Sequence, residues 1–170
     1  MPNTFERQAG WCMNKSKNAE LIGLIGKQLV FADRLYGAVN TAMSVDVPRI
    51  GKTSNAAVMI AGLVENYYTC LETAYQKISQ HFENHLNPSR WHSELLDKMT
   101  LQLEGIRIAA VSEKAHRHLV ELQRFRHFKR YYFELEYDWL RIEYIVNQLI
   151  EAHPVATADL RIFVDFVRSL

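Results

Sequence analysis

The densest chemistry in the chain lies in one run, Arg124-Phe-Arg-His-Phe-Lys-Arg-Tyr-Tyr-Phe133. Arg124, Arg126, Lys129 and Arg130 place four permanent cations within seven residues, together with His127 and interleaved with aromatic rings. Two chemistries fit such a run. It can be the solvated, cationic end of a helix, where positive side chains complement the macrodipole. It can also be a phosphate-binding surface, where guanidinium forks hold phosphate oxygens and Tyr or His rings stack on unpaired bases. Residues four apart stack on one helix face. Arg126 and Arg130 then make one stripe and His127 and Tyr131 the next, while Phe125 and Phe128 turn toward the core. On this reading a phosphate meets two guanidinium groups and one imidazole on a single exposed strip. His127 can carry a proton there, because imidazole ordinarily titrates near 6.5.

Other patterns carry less. Gly51-Lys52-Thr53 ends like a phosphate-binding loop, but the Gly required five residues before Gly51 is Asp46, and no strand precedes it. Glu113 and His116 form one Glu-x-x-His pair, whereas a carboxylate di-metal bundle needs two such pairs and two further Glu. His81 and His85 share a helix face without an evident third ligand and read as solvated polar residues. Cys12 and Cys70 lack CxxC spacing and read as small, buried or partly buried thiols. No metal site and no cofactor are expected.

The elements that position these residues read as helices. Pro2, Pro48, Pro88 and Pro154 divide the chain into long uninterrupted stretches. Residues 1–16 read as a polar arm, pinned by Trp11. From Lys17 to Met43 apolar residues recur with the 3.6-residue helical period. Asp46–Thr53 is a Pro/Gly loop, and Ser54 or Asn55 can cap a second helix that runs to Phe82. Ser89 can cap a short helix through Met99. Ser112 starts another long helix with Ala115, Leu119, Leu122 and Phe125 facing inward. A helix over Tyr137–Glu151 is broken by Pro154, and Thr157 opens a final one. No segment alternates with period two. The expectation is an all-α bundle of two long antiparallel helices plus shorter ones.

Composition sets the bounds. The chain has 170 residues, 48% apolar and 23% charged, which suits one globular domain over 1–170. A chain of this size buries about 68–70% of its unfolded surface without staples. Two cysteines read as a reducing compartment. The longest apolar run, Ala56 to Val64, is too short for a bilayer, which needs about 20 residues. The polar N-terminus does not read as a secretory signal. A net charge of +1 is too balanced to announce nucleic acid, so any such signal must be local.

The run Phe125–Phe133, followed by Glu136-Tyr-Asp138, resembles the signature helix of HepT-like ribonuclease toxins of the HEPN superfamily. Asn66-Tyr-Tyr-Thr-Cys-Leu-Glu72 is similar to their second-helix Tyr and Glu segment, and Trp91-His-Ser-Glu-Leu-Leu-Asp-Lys-Met99 matches the segment between them. The resemblance covers about Leu21 to Phe166. It implies an all-helical, cytoplasmic, HEPN-like homodimer in which two signature helices meet at a cleft and cut RNA without metal. In the family an Arg, and a His four intervening residues later, do the work, with a Tyr two beyond the His. Members are toxins encoded beside a minimal nucleotidyltransferase antitoxin, which in some pairs adenylylates that Tyr.

Carried over residue by residue, Arg126 takes the family's Arg position. Tyr131 stands where the family has His, and Phe133 where it has Tyr. Phenylalanine offers no hydroxyl to adenylylate. A phenol with a pKa near 10 is about 0.1% ionised at pH 7 and is a poor general base, although Tyr131 can orient or donate to a phosphate oxygen. His127, one turn earlier and about 6 Å away on the same face, is the candidate proton carrier. Arg124, Lys129 and Arg130 complete the candidate RNA surface. Tyr68 and Glu72 are supporting residues, with Glu72 able to hold Arg126 or Arg130; the plainer reading is a surface carboxylate beside a core Tyr. Trp91 reads as a core plug. The expected function is RNA binding, with metal-independent cleavage through Arg126, His127 and Tyr131. The alternative is a non-catalytic module that binds RNA or a nucleotidyltransferase partner.

Overall fold

Neighbouring helices are antiparallel all round a four-helix bundle, and the side-chain contacts show the register. The computed structural model describes residues 4–83, 91–132 and 134–170, with side chains from Lys15 onward except residues 84–93 and 133. Helix α1 covers Thr4–Thr41 and runs through a five-residue π-helical turn, Ala42–Asp46, into the short α2, Val47–Ile50. Then follow α3 (Ser54–Glu83), α4 (Trp91–Thr100), α5 (Glu113–Tyr131) and α6 (Trp139–Ser169). Asn18 on α1 meets His81 on α3, and Gln28 meets Cys70, so the two helices run in opposite directions. Lys129 on α5 meets Glu65, and Arg126 meets Glu72, so α5 opposes α3. His118 meets Gln148, and Glu121 meets Tyr144, so α6 opposes α5. Helix α6 closes the ring against α1. The short α4 packs on α3 and α5. No strand occurs among the described residues.

The expected periodicity is the core. Leu21, Ile25, Leu29, Ala32 and Val39 of α1 are buried against Ile60, Tyr67, Leu71, Ala74, Tyr75 and Ile78 of α3. Leu119, Leu122 and Phe125 of α5 and Leu149, Leu160 and Phe163 of α6 complete it.

Local signals explain most boundaries. Gly51 leaves α2 at φ +80°, a conformation that favours glycine, and its N–H reaches Val47 O. Thr53, rather than Ser54 or Asn55, caps α3: its Oγ1 accepts from Ala56 N at 3.2 Å. Ser112 caps α5 as expected, with Oγ accepting from Ala115 N at 3.2 Å. Asp138 caps α6 by accepting from Leu140 N. The connector between α4 and α5 hangs on Arg107, a buried cation that the sequence reading did not single out. Its guanidinium donates to Glu83 Oε1 at 2.6 and 2.9 Å and to the carbonyls of Lys98 and Leu101.

Three expectations are corrected. Of the expected Asp46–Thr53 loop, Asp46 ends the π-helical turn and Val47–Ile50 form α2, leaving only residues 51–53 outside a helix. The N-terminal arm is helical from Thr4, continuous with α1. Helix α6 does not stop at Pro154 but runs through it to Ser169. Pro inside a helix removes one hydrogen bond and costs about 3 kcal/mol. Here its ring faces solvent, and buried Leu149, Ala152, Ala156, Leu160 and Phe163 keep one unbroken phase across it. Burial against three helices outweighs that cost. The expected Ser89 cap, the Trp91 plug, and the side chains of Trp11, Cys12 and His85 lie outside the described residues.

His153 joins three of the helices just before that proline. Its ring stacks on Tyr36 with centroids 4.0 Å apart. Burial holds the Tyr67 phenol well above its ordinary pKa, so its hydroxyl donates to His153 Nδ1, 3.1 Å away. The other ring nitrogen, Nε2, lies 3.3 Å from Asp33 Oδ1.

Candidate functional site: the cationic end of α5

The last turns of α5 present two faces. Along α5, positions 119, 122, 125/126 and 129 share the phase that meets α3. Arg126 therefore points inward, not onto the exposed strip the four-residue spacing implied. It is buried, with Nη2 2.9 Å from Glu72 Oε2 and Nη1 3.1 Å from Glu72 Oε1. Its Nε donates to Thr69 Oγ1 at 3.1 Å. This is the bidentate fork that suits guanidinium to carboxylate. Glu72 thus holds Arg126 and not Arg130, and it is a buried partner rather than a surface carboxylate. Tyr68, one turn before Glu72, is also buried, and burial next to the Glu72 charge raises its phenol well above the ordinary range.

Lys129 lies on the same inward phase. Its Nζ bonds Glu65 Oε2 at 2.6 Å, with both side chains about three-quarters covered. As an RNA-binding residue it is therefore already engaged. Arg124 reaches Glu121 at 2.7 Å from an exposed position. An exposed pair three apart contributes little and is easily traded. Arg130 is exposed and makes no ion pair among the described residues.

The outward face is accordingly Arg124, His127, Arg130 and Tyr131. His127 and Tyr131 are exposed and in edge contact, with ring centroids 5.2 Å apart. Tyr131 is 69% exposed, so its hydroxyl is open to a ligand. The structure thus keeps the His127–Tyr131 stripe and Arg130 together on the surface, and places Arg126 behind them. No group of three or more His, Cys, Asp or Glu among the described residues is placed to hold a metal ion. His116 instead bonds Asp97 at 2.7 Å, tying α4 to α5.

An aromatic lock fixes the end of the strip. Phe128 stacks on Tyr132 at 4.7 Å, and Arg141 of α6 lies 3.7 Å above the Phe128 ring. Tyr137 closes on Tyr132 at 5.2 Å, and Tyr132 Oη donates to Glu136 O at 2.7 Å. Phe128 is thus only partly buried, packing on the core's edge rather than within it. Leu135, in the turn between the helices, sits exposed at φ +60°, an uncommon conformation for a branched residue.

Cys70 behaves as an interior thiol. Its Sγ lies 3.0 Å from both Gln28 O and Gln28 Oε1, and burial pushes its pKa up to about 11. That leaves it protonated near neutral pH and poorly nucleophilic.

The signals for the buried pairs were present in the sequence. Arg126 is seven residues after Leu119 and four after Leu122, and Glu72 lies between Leu71 and Tyr75. Opposite charges on the apolar phases of two helices mark a core ion pair. What the sequence alone lacks is the register that brings 126 to 72 and 129 to 65.

A family model described as HepT-like protein matches residues 59–167, from the first turns of α3 to the end of α6. No match was found among curated proteins or among solved structures.

Proposed function

The chain belongs to the HepT-like family, and from that premise we propose that it binds RNA on the outward strip of α5, as a homodimer, and cleaves it there without metal. The observation that supports this reading is the fixed pair of layers at the end of α5. A buried Arg126 fork is held by Glu72 and Thr69. In front of it stand an exposed imidazole and phenol 5.2 Å apart, beside Arg130, which is exposed and makes no ion pair among the described residues. Arg130 and Arg124 attract the RNA backbone. His127 takes the proton from the RNA's own 2′-hydroxyl as that oxygen attacks the adjacent phosphorus. Tyr131 donates a hydrogen bond to a phosphate oxygen. The 5′-oxygen leaves and must gain a proton, which a second His127 across a dimer cleft can supply. Such a reaction needs no metal in principle, because the nucleophile is carried by the substrate. The setting proposed is a cytoplasmic toxin–antitoxin pair with a minimal nucleotidyltransferase as partner. No helix among the described residues is long and apolar enough to cross a membrane.

A second reading, RNA binding without cleavage, is favoured by one observation. Arg126 gives both terminal nitrogens to Glu72, so its charge is neutralised where a reacting phosphate would need it. The deciding experiment incubates purified protein with single-stranded RNA in EDTA, beside the His127→Ala variant. Cleavage by the wild type that is lost in the variant supports the enzyme. RNA retained on a filter but left intact by the wild type selects the binding module. No binding at all removes both.

A further inference from the structure

A groove of about 430 Å³ lies between α1 and α3, on the far side of Thr69 from Arg126. Gln28, Phe31 and Arg34 line it from α1, and Asn66, Thr69 and Thr73 from α3. Its lining contains no carboxylate. Leu35 and Cys70 supply further apolar surface, and Gln28 Oε1 is occupied by the Cys70 thiol, which leaves the Gln28 amide N–H groups as its free polar edge. Phe31 is 38% exposed although it is a large aromatic. Lys27 Nζ lies 5.7 Å from the Phe31 ring centroid. Lys27, Phe31 and Arg34 are spaced four and three apart, so they form one stripe on α1. Neither Lys27 nor Arg34 makes an ion pair among the described residues. The nearby carboxylate of Asp33 is committed to His153 and Arg161.

An aromatic ring at the mouth of a groove, two cations beside it without ion pairs among the described residues, and one amide side chain on each wall fit one ligand chemistry. That chemistry is a flat base with a polar edge, carried on an anionic backbone. The volume is within the range of small-ligand sites. Thr69 lines the groove and accepts the Arg126 hydrogen bond, so the α3 wall of the groove touches the buried layer behind the α5 strip.

We propose that the α1–α3 groove receives an unpaired base of the RNA strand that the α5 strip holds, with Phe31 as its stacking platform and Lys27 and Arg34 on the flanking phosphates. The inference rests on the RNA-binding reading above and extends the strand's path across α3. Asn66 and Gln28 would meet the base edge, which makes them the residues that set any base preference.

The test compares a short fluorescein-labelled single-stranded RNA with a duplex of the same sequence. Both are titrated against the full chain and its Phe31→Ala and Arg34→Glu variants. Circular dichroism reports folding, and light scattering reports mass. Phe31→Ala should weaken single-strand binding by roughly 5- to 150-fold, the range for loss of one base–aromatic stack. It should leave duplex binding unchanged, because a paired base cannot enter the groove. Arg34→Glu should weaken single-strand binding and make its salt dependence shallower by about 0.7, the slope of one lost phosphate contact. Wild-type binding that both folded variants retain in full overturns the groove while leaving RNA binding on α5 intact. Absence of wild-type RNA binding overturns the RNA reading and the groove with it. A fall from dimer to monomer mass in either variant assigns the groove to contact between two copies and also overturns the proposal.

Discussion

Arg126 is the residue on which both structure and proposed chemistry turn. Its guanidinium is buried and forked onto Glu72. Removing one member of a buried pair leaves an uncompensated charge and costs about 3–5 kcal/mol. Glu72→Ala should therefore lower the urea midpoint strongly at unchanged slope. A loss below about 1 kcal/mol would mean that water reaches the pair freely. The vacant motif positions give a gain-of-function experiment. Tyr131→His with Phe133→Tyr supplies the family's constellation in place of a phenol and a phenyl ring. A general acid–base group contributes about 10²–10⁴-fold, so RNA cleavage in EDTA should rise visibly above wild type. Adding Arg126→Ala should erase the gain. An inert double variant that still binds RNA would leave the non-catalytic reading standing.

At the scale of elements, the junction of α1, α3 and α6 carries a pH dependence. Burial and the Arg161 charge lower the pKa of His153, against the opposing pull of Asp33. Tyr36 stacks on the same ring, and Tyr67, whose phenol burial holds above its ordinary range, donates to it. His81, between α1 and α3, is lowered by burial and by Lys17. The neutral imidazoles are thus the native forms. In the unfolded chain each binds a proton below about pH 6.5. The unfolded state then holds more protons than the folded one, so stability rises with pH across the window from the folded pKa up to about 6.5. Chemical denaturation from pH 7 to 5.5 should show a falling midpoint. The doubly substituted His153→Gln, His81→Gln chain should show a flatter profile. A wild-type midpoint constant across that range would contradict the assignment.

For the whole molecule, the two testable quantities are mass and salt dependence. Tyr131, Leu135, Leu140 and Tyr144 are all large, all about half or more exposed, and all lie on or beside the turn from α5 to α6. Scattered exposed apolar residues are ordinary, but a group of four at one end of a bundle suits contact with a second copy. Light scattering at micromolar concentration should give twice the 19.8 kDa of the chain; a monomer mass would remove the composite cleft. Each protomer offers Arg130 and the loosely held Arg124 to phosphates. RNA affinity should then fall with salt at a slope near −0.7 per phosphate contact for single strands. Binding indifferent to salt would rule out a backbone-dominated interface.

Helical class was legible in the sequence because it rests on local periodicity. The stripe through Leu21, Ile25 and Leu29, and that through Leu119, Leu122 and Phe125, can be read without knowing what they pack against. The same holds for the Ser112 cap and for the cationic run itself. Pro154 shows where local reasoning stops. A strong breaker is overruled when burial on both sides keeps one phase, and that burial comes from α1, α3 and α5. The candidate site divides the same way. Its residue types were readable, but which cations stay free was decided only when antiparallel packing brought Glu72 to Arg126 and Glu65 to Lys129. The partners in those pairs are 54 and 64 residues apart. Charge in a sequence is a local property, whereas neutralisation depends on register between helices, and register exists only once the bundle has formed.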